Sequence, residues 1–153
     1  MINVIDLSKN YGAQVLFENI SFTVNRRERI GLVGRNGAGK TTLLKIILGL
    51  ETADFGKVLI PNNYKIGYLD QHINFKEATL LAEAAAALPE FQKTEIWQAE
   101  KILAGLGFSI SDFNRPPNQL SGGYQIRIKL AQLLLQMPDM LLLDEPTNYL
   151  DIV

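Results

Sequence analysis

The chain has 153 residues, a formal charge of −1, 47% apolar and 20% charged residues, the balance of one globular domain large enough to bury a core. It has no cysteine and a single histidine, His72. Disulfides, thiolate metal sites and a histidine-based metal cluster within the chain are therefore excluded. No basic-then-apolar leader is visible and no apolar run approaches the ~18 residues of a membrane span, so the expectation is a cytoplasmic protein with no direct membrane insertion.

In chain order, the first stretch reads as strands and turns. Ile2 and Val4, then Ile20, Phe22 and Val24, alternate at the period of half-buried strands, and "NYG" at 10–12 marks a turn between them. Arg26, Arg27 and Arg29 read as a solvated turn before a strand. From Arg29 to Val33 the apolar pattern is nearly continuous, which predicts a strand that meets a glycine-rich loop. A helix is expected next, with Leu43, Leu44, Ile47 and Leu48 at helical spacing and Gly49 placed to end it. "KVLI" and "KIGYL" within 57–69 read as two strands separated by a "PNN" turn.

Between about Thr79 and Gly107 the texture becomes helical. "TLLAEAAAAL" favours helix until Pro89, and Ile96, Ala99, Ile102, Leu103 and Leu106 form a second helical stripe. "FNRPPNQ" at 113–119 is a hinge. Beyond it Ser121 can cap a helix running to about Gln136, with Ile126, Leu130, Leu133 and Leu134 on one face. "MPD" stops that helix. "MLLL" then reads as a buried parallel strand whose carboxyl end, at Asp144 and Glu145, faces a ligand crevice.

The strongest chemical signal is "GRNGAGKTT", Gly34 to Thr42, which matches G-x-x-x-x-G-K-[ST]. Small residues at Gly37, Ala38 and Gly39, with Gly34, Arg35 and Asn36 before them, let the backbone curl so that its N–H groups point at phosphate oxygens. The helix starting near Lys40 aims its positive end at the same place. Lys40 can reach β- and γ-phosphates, and the Thr41 hydroxyl, beside Thr42, can ligate Mg²⁺. Asp144, at the end of a buried strand, supplies a second Mg²⁺ ligand, and Glu145 can hold or activate the attacking water. "LSGGYQ" at 120–125 creates another anion-binding nest at a helix start. With only one lysine-bearing loop in the chain, this nest can serve a nucleotide bound by another domain.

The P-loop, "LSGGY" and "LLLDEPTNYLD" in this order resemble an ATP-binding-cassette (ABC) ATPase domain, over essentially all 153 residues. The resemblance implies an α/β fold: a P-loop NTPase of ABC type, with a mixed core sheet, an N-terminal antiparallel β subdomain and a helical subdomain. It divides the chain into a β subdomain and P-loop core (1–75), a helical subdomain with the signature helix (76–136), and a Walker B strand with D-loop (137–153). In that family two cassettes sandwich two ATP molecules. By resemblance Ser121, Gly122 and Gly123 contact the γ-phosphate on an opposing P-loop. Gln71 matches the Q-loop glutamine that senses Mg²⁺ and water, Tyr11 the aromatic that stacks on adenine, and Asp151 the D-loop aspartate. The implied cofactors are ATP and Mg²⁺, with no other metal. The implied partner is a second cassette, on the same chain or in a homodimer.

"DEPTNYLD", "AEKILAGLGFS" at 99–109 and the aromatic Tyr124 resemble the first cassette of the ABC-F subgroup, ATPases without a membrane domain that act on the ribosome. That resemblance implies the ribosome and its RNA as partner. The alternatives are the ATP-binding subunit of a membrane transporter and a clamp that grips ATP but barely hydrolyses it. Tyr149 stands where the subgroup usually has His. Gln71 and Ser121 are only fifty positions apart, room for a helical subdomain with a short or missing arm. The end of the chain shortly after Asp151 reads as a cassette interrupted before its switch histidine, and the isolated stretch is expected to be a weak ATPase.

Overall fold

Ile2, Val4 and Leu7 are fully buried, and they set the inner face of the first strand. The computed structural model describes residues 1–69 and 74–144. It divides into two units, Met1–Tyr64 and Lys65–Val153.

In the first unit β1 (Ile2–Tyr11) pairs antiparallel with β2 (Gln14–Val24) and with β3 (Phe55–Leu59), giving a sheet of order β2-β1-β3. The β1–β2 turn contains Gly12 at φ 59°, the glycine of the "NYG" signal. The ladder is not regular. Asp6 and Asn19 have positive φ, and the register shifts between Val4 and Leu7. Side chains stabilise the irregularity: the Asp6 N–H donates to Ser21 Oγ (2.8 Å), and the Asn19 N–H to Ser8 Oγ (2.9 Å). This shift lets Leu7, Ser8 and Lys9 all be buried in succession, which strict alternation forbids.

α1 (Lys40–Ile47) follows the glycine-rich loop and buries Leu43, Ile46 and Ile47. Leu44 and Leu48, expected on the buried stripe, are half-buried. The helix ends as its sequence predicts. Gly49, at φ 72°, lets its own N–H bond Ile46 O (3.0 Å) while the Leu50 N–H bonds Lys45 O (2.8 Å), the pair of bonds that closes a Schellman cap.

One expected strand is not formed. Residues 29–33 join no ladder among the described residues, and Ile30, Leu32 and Val33 are exposed. Hydrophobic continuity marks a segment suited to pairing, but a strand exists only once neighbouring backbones accept its N–H and C=O groups. The arginine turn before it is as expected: Arg26, Arg27 and Arg29 are exposed, and Arg27 has φ 64°.

In the second unit β4 (Ile66–Leu69) and β5 (Met140–Leu143) pair in parallel, Ile66 opposite Met140 through Leu69 opposite Leu143. Gly67 permits the approach, since a Cβ there would lie 3.0 Å from Leu141. Three helices, α2 (Leu80–Ala85), α3 (Ile96–Gly105) and α4 (Gly122–Leu135), pack Leu80, Ala84, Ala99, Leu103, Ile128, Ala131 and Leu135 into one core with Phe108 and Phe113. On α4 the deepest face is Ile128, Ala131 and Leu135, with Ile126 also buried. Leu130, Leu133 and Leu134 are only half-buried. Ile96, at the first position of α3, is exposed, whereas Ala99 and Leu103 carry the stripe inward. No helix among the described residues is long and apolar enough to cross a membrane.

Candidate nucleotide site

The glycine-rich loop turns because two of its residues adopt backbone angles open to glycine: Gly37 at φ 82° and Gly39 at φ 86°. The Ala38 N–H closes a tight turn on Arg35 O (3.2 Å). Lys40, the first residue of α1, extends back across this turn, and its ammonium donates to Gly34 O (2.9 Å) and Arg35 O (3.0 Å). Its charge is therefore held over the loop rather than out in solvent. Gly39 is also sterically fixed, since a Cβ there would lie 3.2 Å from both Leu16 Cβ and the Phe17 ring. β2 thus braces the loop from below. Arg35, Asn36, Gly37 and Ala38 are exposed, while Thr41 and Thr42 are half-buried at the start of α1. A concave backbone, a cation and a helix N-terminus converge here, the combination that binds phosphate.

Tyr11 closes β1 and is about half exposed (51%). The register ties it to the loop: Tyr11 lies opposite Gln14 and Lys9 opposite Phe17, the residue whose ring abuts Gly39. Beneath Tyr11, Lys9 Nζ lies 5.1 Å from the ring centroid. Its ammonium donates to Glu51 Oε1 (3.0 Å) and Thr52 O (2.7 Å). Hydrogen bonding to Lys9 holds the Glu51 carboxyl below the usual carboxylate range, and the same bond raises Lys9. Sequence reasoning missed this network; its only signal was a lysine at i−2 from an aromatic on a strand, hence on the same face.

In the second unit Asp144 follows β5 directly and is buried (5% exposed), the position expected of an acid at a parallel strand's carboxyl end. Gln71, Glu145 and Asp151 lie outside the described residues, as does His72. Ser121 occupies the N-cap of α4 with extended backbone but without a side-chain capping bond, and Gly122 has open space where a Cβ would sit. Ser121 and Gly122 are exposed and Gly123 half-buried. Tyr124 is anchored beside them, edge-on to Phe108 (centroids 5.3 Å apart, planes at 61°) and beneath the Arg127 guanidinium at 4.9 Å. Among the described residues no group of three or more His, Cys, Asp or Glu could hold a metal ion. Thr41 in the first unit carries a hydroxyl and Asp144 in the second a carboxylate, each of the oxygen type that Mg²⁺ accepts.

A second buried carboxylate also escaped sequence reasoning. Glu83, on α2, is 5% exposed. Its Oε2 accepts the Lys76 and Glu77 N–H groups (2.9 and 2.8 Å), and its Oε1 accepts from the Gln132 amide on α4 (2.9 Å). It lines a cleft of about 310 Å³ with Asn74, Lys129 and Gln136. An alanine-rich helix gave no reason to expect an acid on its inner face.

Comparison with known proteins gives a consistent result. The family model described as ABC transporter matches residues 17–148. The Bacillus subtilis protein YdiF is 38% identical over 193 residues, which cover 99% of this chain and 30% of YdiF. The ribosome protection protein VmlR of the same organism is 36% identical over 155 residues, 99% of this chain and 27% of VmlR. Among solved structures, a dimeric post-hydrolysis state of the ATP-binding cassette MJ0796 bound to ADP and Pi superposes with a TM-score of 0.79 at 26% identity, covering 99% of this chain and 77% of that one. The chain spans about three-tenths of the length of the curated relatives it matches.

Proposed function

The chain belongs to the ABC transporter family of ATP-binding cassettes, and from that premise we propose that it is the ATP-hydrolysing first cassette of an ABC-F type ATPase acting on the ribosome in the cytoplasm. The observation that carries the ATPase reading is the loop geometry: Lys40 held over a turn of positive-φ glycines at the start of α1. The translation reading is supported by "DEPTNYLD" and by the likeness to a ribosome protection protein.

In this reading the backbone of Gly34, Arg35, Asn36, Gly37, Ala38 and Gly39 cradles the phosphates, with Lys40, Thr41 and Thr42 completing the grip. Lys40 neutralises charge between the β- and γ-phosphates as the bond to the γ-phosphoryl breaks. Thr41, Asp144 and Gln71 would hold Mg²⁺, which would supply stabilisation of the phosphate charge. Glu145 orients the attacking water and accepts its proton, with Gln71 beside it. Ser121, Gly122 and Gly123 present their nest to the nucleotide of a second cassette. The working division is residues 1–75 for β subdomain and P-loop core, 76–136 for the helical part and 137–153 for the acid-bearing strand and D-loop.

Two measurements on the full-length protein test this. Glu145→Gln should retain ATP binding while turnover falls at least ~100-fold, the usual contribution of a general base; unchanged turnover would remove Glu145 from the mechanism. The same variant, trapped with ATP, should co-sediment with ribosomes. The family model's description and the cassette likeness also support a transporter subunit. Co-purification with a membrane permease and not with ribosomes would decide for that reading.

A further inference from the structure

Lys9 is an unusual residue to bury. Its side chain is 7% exposed, yet it lies on the strand that ends in Tyr11. Burying an ammonium is costly unless it is paired and hydrogen-bonded, and here both acids and the carbonyl that meet it come from one short loop. Glu51 Oε1 lies at 3.0 Å, Thr52 O at 2.7 Å and Asp54 Oδ1 at 3.6 Å. That loop is the exit of α1, the helix whose start is the phosphate-binding turn. Asp54 makes the attachment double: its second oxygen accepts the Asn10 N–H (2.7 Å), and its own N–H bonds Ser8 O (3.0 Å). The phosphate helix is therefore pinned at its far end to the strand that carries Tyr11.

The ring itself is the last member of the chain. Lys9 Nζ sits 5.1 Å from the Tyr11 centroid, within the range of a cation–π contact. The Tyr11 side chain also hydrogen-bonds the Glu51 carboxylate that pairs with Lys9, so ring, lysine and loop form one network whose cation lies against the ring. We propose that Lys9, locked by Glu51, Thr52 and Asp54, is a positioning residue that fixes the Tyr11 ring for stacking on the nucleobase, and so sets base affinity separately from phosphate affinity. This rests on the reading of Tyr11 as the base-stacking residue. A ring already fixed loses less conformational freedom on binding, and the gain falls on the base alone.

The test compares ATP with inorganic tripolyphosphate, which shares the phosphate subsite but has no base, using the full-length protein and calorimetric Kd values. Tyr11→Ala should weaken ATP roughly tenfold, as loss of one base–aromatic stack does, and leave tripolyphosphate unchanged. Lys9→Met should weaken ATP by roughly three- to tenfold, again with tripolyphosphate unchanged, and Lys9→Arg should restore most of it. The double variant should bind ATP no worse than Tyr11→Ala, because Lys9 acts through the ring. Lys9→Met with wild-type ATP affinity, while Tyr11→Ala is weakened, overturns the proposal and leaves the Tyr11 reading standing. A neutral Tyr11→Ala overturns both. Parallel loss of ATP and tripolyphosphate in Lys9→Met marks a merely structural lysine and also overturns it. If Lys9→Met does not fold, Lys9→Gln, which removes the charge and keeps a donor for Glu51 and Thr52, carries the same comparison with the same outcomes.

Discussion

Gly56 shows how far one residue's missing Cβ reaches. It has φ 81°, and a Cβ would sit 2.4 Å from the carbonyl oxygens of both Ile5 and Asp6, at the point where β1 departs from regular pairing with β3. Backbone atoms cannot rotate aside as a side chain can. Gly56→Ala should therefore cost about 2–4 kcal/mol, combining the left-handed penalty with local overpacking, read as a drop in the midpoint of chemical unfolding. Gly39→Ala is the informative contrast. Its neighbours at 3.2 Å are the side chains of Leu16 and Phe17, which can yield, so it should cost roughly 1–2 kcal/mol but sharply reduce ATP binding by reshaping the loop. Gly39 was legible from the motif alone, since phosphate approach demands a small residue. Gly56 was not, because nothing in "DFGKV" announces that the opposite strand carries a positive-φ aspartate. Lys9 was illegible for a related reason: its acid partners lie more than forty positions away.

At the scale of elements, periodicity identified the helices but not which face goes deepest. α4 illustrates this, since its leucines at 130, 133 and 134 satisfy a helical stripe as well as Ile128, Ala131 and Leu135 do. Only the positions of α2 and α3 select the second set. Local chemistry was better read at the ends. Thr79 caps α2, its Oγ1 accepting the Ala82 N–H at 3.2 Å, and Thr79→Ala should cost about 1 kcal/mol by thermal unfolding. Glu83→Ala should cost roughly 1–3 kcal/mol, because it strands the Lys76 and Glu77 amides, while Gln132 keeps its bond to the Glu83 carbonyl. The turn at 109–115 responds to acid. The Asp112 carboxyl is held below its ordinary value by the Ser109 hydroxyl and N–H, then by Arg115. A carboxyl depressed in the folded state stabilises above its unfolded pKa of about 3.9 and loses that contribution as pH falls through the lower folded value. Wild type should thus melt above Asp112→Asn at pH 7, with the gap closing below about pH 4.

At the scale of the whole protein, the chain supplies one lysine-bearing phosphate loop and one "LSGG" nest, and the curated relatives are several times as long. In the proposed reading a second cassette accompanies this one, so its lysine-bearing loop and its "LSGG" nest would serve different nucleotides. The consequence can be counted. In a full-length Glu145→Gln background, with the matching acid of the second cassette also changed, each molecule should retain two trapped ATP. Lys40→Met removes the grip at this cassette's own loop and should leave one. Ser121→Arg places bulk and charge at the exposed N-cap of α4, so it should block the nucleotide on the partner's loop and also leave one. Because the lesions strike different sites, their effects should add, and the double variant should retain none. A double variant that still holds one ATP would put Lys40 and Ser121 in the same site, and the composite arrangement would have to be abandoned.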